Sequence, residues 1–494
     1  MSPASAAHCD IGVLAVGSRR HTDTDTDTDT DTDTQTHTHT HTQTQTRTLN
    51  QTHTKMQTQR HTRTHTHTHT ETRARALMLL LLAASTVLFT ANTRSADTRS
   101  ANMQSANVRF TPYETRLVLE HGPWPPRIAP DPSNRVAGSA SAARFGQRLF
   151  FDPRLSVSGT VSCASCHIPE FNWTDRRATA TGLADADRNT ESLLNVRFNR
   201  WFGRAGSTDS LWAASLRPFA DPREMGSAER HVVALVRSQS DLACGYRQAF
   251  GASPSVDDDD RLLSDVGKAL AAFQARLTTG RTPFDEFRDA LARGDRRAQS
   301  RYPFAAQRGL QLFIGRAQCA LCHFGPQFTN GEFDKVGISV RRPDGRIDWG
   351  RFDGIKALQA SRFSLTGRFN DDPKRATGES TRHVALTTEN YGQFKVPGLR
   401  AVAQTAPYMH DGSLASLTDV VRHYSTIDAV KLHLAMPHSH ADPGDDLPAR
   451  PSDLILRTLN LTEGEIADLV AFLQSLSESR PSAARRPAAT PVCR

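Results

Sequence analysis

Apolar residues recur at helical spacing in three places along the chain. Val266, Leu270, Phe273 and Leu277 fall at i, i+4, i+7 and i+11, which predicts a helix with one buried face. Leu417, Val420, Val421 and Tyr424 do the same, with Ser416 and Asp419 able to cap the start. On that helix His423 is turned roughly 100° away from Tyr424. Near the end of the chain Thr462 and Glu465 make a capping box, and Leu461 can staple to Ile466. Ile466, Leu469, Val470 and Leu473 then form one apolar face. No run of alternating strands appears, and the connections rich in Gly and Pro are long. The pattern predicts a mostly α chain with long loops and little β.

The first hundred residues follow other rules. From His21 to Thr72 threonine takes nearly every second position, separated by Asp, Gln, His or Arg. A period of two suits a strand, but neither face here is apolar, so the segment reads as disordered. It holds nine of the twenty histidines. A translated simple repeat accounts for them better than a metal-binding tract. An apolar run of thirteen residues, Leu77 to Phe89, follows Arg73 and Arg75. It is too short for a bilayer span, which takes ~20 residues, and has the basic and apolar regions of a secretory signal. Translation is expected to begin at Met56 or Met78. Residues 1–76 are read as lying outside the mature protein, 77–107 as signal peptide and flexible leader, and 481–494 as a disordered tail.

The chain has 494 residues, enough for more than one core-forming domain. Its formal charge of +8 could suit nucleic acid, but no basic cluster is interleaved with aromatics. A basic surface facing an acidic partner, or simply water, fits better. Seven cysteines are present. Cys9 lies in the discarded region. Cys244 and Cys493 could pair after export, and nothing in the sequence decides it.

The other four cysteines form two boxes, CASCH (Cys163, Cys166, His167) and CALCH (Cys319, Cys322, His323). Two thiols one helical turn apart can each add to a haem vinyl group, and the histidine after the second is held under the iron as axial ligand. In this composition one such box is expected by chance about 0.004 times, so two are not coincidence. Zinc would need a further Cys or His pair at ligand spacing, and there is none. A redox-active CxxC would not need the histidine. Two covalent c-type haems follow, with export to an oxidising compartment.

Around the boxes, LFFDPRLSVSGTVSCASCH, RNTESLLN, PFADPREMG and FKVPGLRAVAQTAPYMHDGSL occur in that order. Together they resemble the bacterial di-haem cytochrome c peroxidase and MauG family, from about Phe145 to Leu476. The resemblance implies an N-terminal peroxidatic haem domain over 108–295 and a C-terminal electron-transfer haem domain over 296–480, both cytochrome c-like. The polar stretch from Arg293 to Pro303 would link them. His167 then binds the reactive iron and Glu224, in DPREMG, is the distal acid. A carboxylate over the iron can move a proton between the two oxygens of peroxide. On the residues alone Glu224 is indistinguishable from an ordinary surface acid, and the motif alone assigns it. Trp201, in WFGR, matches the tryptophan between the haems, a relay that also suits a core position. Asn189, Thr405 and Pro407 match a calcium position, where the Asn189 side chain and two carbonyls would be hard oxygen ligands.

The chain departs from the pattern in four places. No histidine lies between Ile168 and Leu211, where peroxidases carry one that blocks the resting iron. Ala214 replaces the distal glutamine, leaving no second polar group evident beside Glu224. Tyr424 stands at the position of the peroxidases' methionine ligand, fourteen residues after His410, as in MauG; a core tyrosine satisfied by a backbone acceptor would show the same periodicity. Ala317 replaces the tryptophan that MauG uses two residues before its second box. The expected function is a periplasmic peroxidase that reduces hydrogen peroxide at the His167 haem, with Tyr424 and His323 on the second iron. Electrons come from a small redox protein, a cytochrome c or cupredoxin, or from an oxidisable substrate. No nucleic acid and no stable membrane span are expected, and a homodimer is a candidate assembly. A MauG-like oxidase of a protein or small molecule, or a plain di-haem electron carrier, are the alternatives.

Overall fold

A computed structural model describes residues 108–226, 228–342, 344–427 and 456–478. The expectations for 1–107, for the tail and for Cys493 fall outside these residues. All the described residues belong to one unit, Thr90–Arg494. Helices dominate, as the hydrophobic pattern predicts. Among the described residues the sheet content is a single two-stranded antiparallel pair, Phe333–Asp334 with Phe394–Lys395.

Two crossed helix pairs organise the fold. In the first, Ala140–Phe150 packs on Asp259–Gln274. Ser139 starts the former by accepting from the Ala142 N–H, which supplies one of the donors a helix start leaves unpaired. The two backbones touch at Gly146, where a Cβ would stand 1.8 Å from the Ala269 carbonyl oxygen. In the second, Phe304–Ile314 packs on Glu463–Gln474. Gly309 plays the same part there, with a Cβ falling 1.9 Å from the Asp468 carbonyl. Only glycine permits such an approach. Each pair carries its own apolar cluster. Phe150, Trp173, Leu270 and Phe273 lie in the first, and Phe313, Phe328, Leu469 and Phe472 in the second.

The clusters interleave along the chain. Val118, from the helix Pro112–Glu120, packs in the second cluster, as do Phe284 and Phe287 from the helix Pro283–Ala292. Phe363 and Phe369 return to the first. The polar stretch 293–303 contains a short helix, Arg296–Gln299, whose Asp295 side chain accepts from the Ala298 N–H. Both sequence-read caps form. Ser416 and Asp419 exchange hydrogen bonds at the start of Leu417–Thr426. Thr462 and Glu465 do so at the start of Glu463–Gln474. No helix among the described residues is long and apolar enough to cross a membrane. Cys244 is not free.

Candidate functional site

Each CxxCH box follows the first helix of a crossed pair and is shaped by a short turn. Cys163–Cys166 is a single α turn closed by the His167 N–H on the Cys163 carbonyl, 3.0 Å. Cys319–Leu321 is a 3-10 turn, and the His323 N–H reaches the Cys319 carbonyl at 2.9 Å. The chain then doubles back to fix the imidazole. After the first box it passes through left-handed Asn172 and Trp173, φ 56° and 63°. That places the buried Trp173 so that its carbonyl lies 3.1 Å from His167 Nδ1. After the second box the left-handed, fully buried Phe328 (φ 57°) presents its carbonyl to His323 Nδ1 at 2.9 Å. A carbonyl only accepts, so Nδ1 carries the proton in both rings and the Nε2 lone pair is left for a metal. Burial also lowers both imidazoles below the usual histidine range, against the pull of Glu224 and Asp175 near His167 and of the Phe328 carbonyl at His323.

The four thiols are free. Burial pushes Cys163 and Cys319 up to about 12, and Cys166 and Cys322 up to about 11. They are therefore protonated thiols, unlike the low-pKa thiolate of a redox CxxC. Among the described residues no cluster of His, Cys, Asp or Glu forms a metal cage.

Both boxes open on cavities. The first, of about 400 Å³, is lined by Cys163, Cys166, His167, Ala214, Arg217 and Glu224, among others. Among the described residues His167 is the only imidazole on its wall. Six cationic side chains (Arg188, Arg204, Arg217, Arg223, Arg342, Lys395) face four acids (Asp187, Glu191, Asp221, Glu224). The second cavity, of about 570 Å³, is lined by Cys319, His323, Leu417, Val421, Tyr424 and Leu473. The paired thiols, the histidine that follows them and the cavity beside them suit a haem c in each.

Glu224 is not alone. Arg217 Nη1 lies 2.5 Å from its Oε1. The expectation that Ala214 leaves no second polar group nearby is therefore corrected: the partner sits seven residues upstream, one turn past Ala214, where no motif marks it. Tyr424 lies on the wall of the second cavity with His323. Its neighbour His423 is turned aside, with Nε2 2.7 Å from the Val336 carbonyl. Met409 shares the Tyr424 cavity.

Asn189, Thr190, Glu191, Ser192, Asn199, Arg204 and Lys395 line both cavities and so form the partition between them. Trp201 is buried beside this partition and lines the second cavity. Its indole N–H donates to Glu332 Oε2, 3.3 Å, and the Arg351 guanidinium lies 4.8 Å from its ring. No motif marks either neighbour. In the partition Lys395 Nζ holds Glu191 Oε1 at 2.8 Å. Burial would raise that carboxyl, but Lys395 and Arg204 outweigh it and hold it down at about 2.

Asn189, Thr405 and Pro407 do come together on the second cavity. The Asn189 oxygen, however, accepts from Arg204 Nη2 at 2.7 Å, and its amide donates to the Arg177 carbonyl at 2.9 Å. A guanidinium in contact with the one side-chain ligand opposes a second cation beside it. As placed, these residues do not form a calcium cage, and nothing below is derived through calcium.

Residues 140–293 match the family described as di-haem cytochrome c peroxidase. The methylamine utilization protein MauG of Methylorubrum extorquens is 32% identical over 345 residues, covering 69% of this chain and 80% of that protein. A cytochrome-c peroxidase of Denitromonas iodatirespirans is 30% identical over 374 residues, covering 73% and 87%. Among solved structures, a MauG-like protein associated with microbial copper homeostasis is similar with a TM-score of 0.50 and 26% identity, over 72% of this chain and 96% of that one.

Proposed function

The chain belongs to the di-haem cytochrome c peroxidase and MauG family, and from that premise we propose that it is an exported, periplasmic enzyme that reduces hydrogen peroxide in the cavity of His167. The observation that carries this reading is Glu224 on the wall of a cavity that holds the first box and, among the described residues, no imidazole besides His167. When bound, the haem supplies the iron that takes the peroxide and the redox equivalents that reduce it. The chain supplies the rest. His167 offers Nε2 as ligand, oriented by its Nδ1–H on the Trp173 carbonyl. Glu224 takes the proton of the oxygen nearer the metal and returns it to the leaving oxygen. Trp201, beside the partition and tied to Glu332, relays charge between the cavities. Tyr424 and His323, on the wall of the same cavity, would hold the second metal, and electrons return from a small redox protein.

Tyr424 also supports a second reading. A phenolate is a hard anionic donor that favours the oxidised states of iron over the reduced one. A second haem so ligated suits a MauG-like oxidase better than a fast electron acceptor, although Ala317 removes the tryptophan through which MauG reaches its own protein substrate. Steady-state assay with peroxide and a reduced cytochrome c or cupredoxin separates the two. Sustained oxidation of the donor, abolished by Glu224→Gln with both haems retained, supports the peroxidase. General acid–base groups supply ~100- to 10,000-fold. A fall of less than tenfold removes Glu224 from the reaction. A donor left untouched while an oxidised form of the protein persists favours the oxidase.

A further inference from the structure

Arg217 and Glu224 pair on the wall of the His167 cavity, and the backbone that carries each of them is held in place. Arg217 stands between the buried Leu216 and Phe219, with Pro218 fixing the backbone in between. The loop of Glu224 is pinned from the other side. The Glu224 carbonyl accepts from the Leu183 N–H at 3.2 Å, the Arg223 carbonyl from Ala184 at 2.9 Å, and the Met225 carbonyl from Val157 at 3.2 Å. Most other charges of this cavity already have partners of their own. Asp187 is paired with Arg223 and Arg342, Glu191 with Lys395, and Arg188 with Asp348. Glu224 is left as the ion-pair partner of Arg217.

We propose that Arg217 makes this side of the cavity a subsite for small anions, with the Glu224 carboxylate as the internal anion that such a ligand displaces. The proposal rests on the reading that this cavity holds the reactive haem. A guanidinium keeps its charge at every working pH and presents several donors in a fixed fork. At rest the fork is turned to Glu224. When neutral hydrogen peroxide enters, one proton passes from a peroxide oxygen to a Glu224 carboxylate oxygen. The negative charge passes the other way, leaving a hydroperoxide anion beside a neutral carboxyl. The ion pair inside the protein is thereby exchanged for one between Arg217 and the substrate. Deprotonation of peroxide by Glu224 is thus coupled to capture of its anion, which compensates for the glutamine absent at Ala214.

The test is fluoride binding to the ferric holoprotein, followed by the absorbance of the haem and read as a dissociation constant. Glu224→Gln frees the guanidinium and removes the competing charge, so it should tighten fluoride at least tenfold. Arg217→Met should weaken it at least tenfold, and Arg217→Lys should recover part of the loss. In the double variant the gain from Glu224→Gln should vanish, because the two side chains act as one unit. Equal fluoride affinity in wild type and Arg217→Met, or a full Glu224→Gln gain in the double variant, overturns the subsite. So does an absence of fluoride binding in every variant. The peroxidase reading fails separately, when Glu224→Gln leaves peroxide turnover unchanged whatever fluoride does.

Discussion

The indole N–H of Trp201 donates to Glu332 Oε2 at 3.3 Å, while Arg200 holds the other carboxylate oxygen at 2.8 Å. A buried tryptophan whose N–H rests on a carboxylate can give up that proton when it loses an electron, which suits a relay better than a bare core ring. Trp201→Phe should therefore keep both haems and leave ligand binding at the His167 cavity intact. The spectral response of the second haem to peroxide should slow at least tenfold. Rapid-mixing absorbance at the two haem signals checks this. An unchanged second-haem response leaves Trp201 as a packing residue.

Tyr424 reaches the second cavity, on the same wall as His323. Tyr424→Phe should change the low-spin ferric spectrum of that haem and raise its reduction potential, since an anionic donor that stabilises the oxidised iron is lost. Spectroelectrochemical titration reads both. If neither moves, Met409, on the same cavity, becomes the ligand to examine, because His423 is held by the Val336 carbonyl.

The second helix crossing depends on Gly309. An added methyl would sit 1.9 Å from the Asp468 carbonyl, so the helices Phe304–Ile314 and Glu463–Gln474 must part. Overpacking of this kind costs ~1–3 kcal/mol, occasionally more. At ~2.1 cal/mol/K of unfolding entropy per residue, a folded body of several hundred residues then loses roughly 1–4 °C in Tm. A thermal melt of Gly309→Ala equal to wild type would mean that the crossing is looser than described.

Acid sensitivity should centre in part on Asp348. Burial would raise its carboxyl, but the hydrogen bonds and charge of Arg188, with Arg342 behind, hold it at about 2. The Arg188 Nε lies 2.8 Å from Oδ2. In the unfolded chain an aspartate titrates near ~3.9. The folded state therefore binds this proton less readily, and the stabilisation is full above about 4 and fades as the pH falls through about 2. Asp348→Asn should lower Tm at pH 7, and the gap to wild type should close between pH 4 and 2. A gap that stays constant over that range would show that charge on Asp348 contributes nothing.

What the sequence made legible was local. The boxes and the caps at Ser416 and Thr462 each span a few residues and form as the spacing suggests, and the apolar faces behind them form in part: Leu417, Val421, Ile466, Leu469 and Leu473 are buried, while Val420, Tyr424 and Val470 are half-buried. The motifs also brought Glu224 to the His167 cavity and Tyr424 to the His323 cavity. Relations at a distance stayed hidden. Glu332 meets Trp201 across 131 positions, and Gly309 meets Asp468 across more, so no periodicity can report them. Arg217 is close to Glu224 in sequence, yet a kinked pair of short turns, not a regular helix, brings them together, and no spacing rule covers that. Asn189 shows the opposite failure. Its motif promises a metal ligand, while the fold sets Arg204 on its oxygen.

The central claim is that the His167 cavity opens to peroxide without prior reduction. It rests on a wall with no imidazole besides His167 among the described residues and on Glu224 set against Arg217. The most direct measurement is a stopped-flow spectrum of the as-isolated ferric protein, carrying two haems per chain by pyridine haemochrome, mixed with stoichiometric hydrogen peroxide. The account predicts a high-spin ferric signal before mixing. That signal should be lost at once on mixing, followed by a change in the low-spin haem. A fully low-spin spectrum that ignores peroxide until the protein has been partly reduced would contradict it.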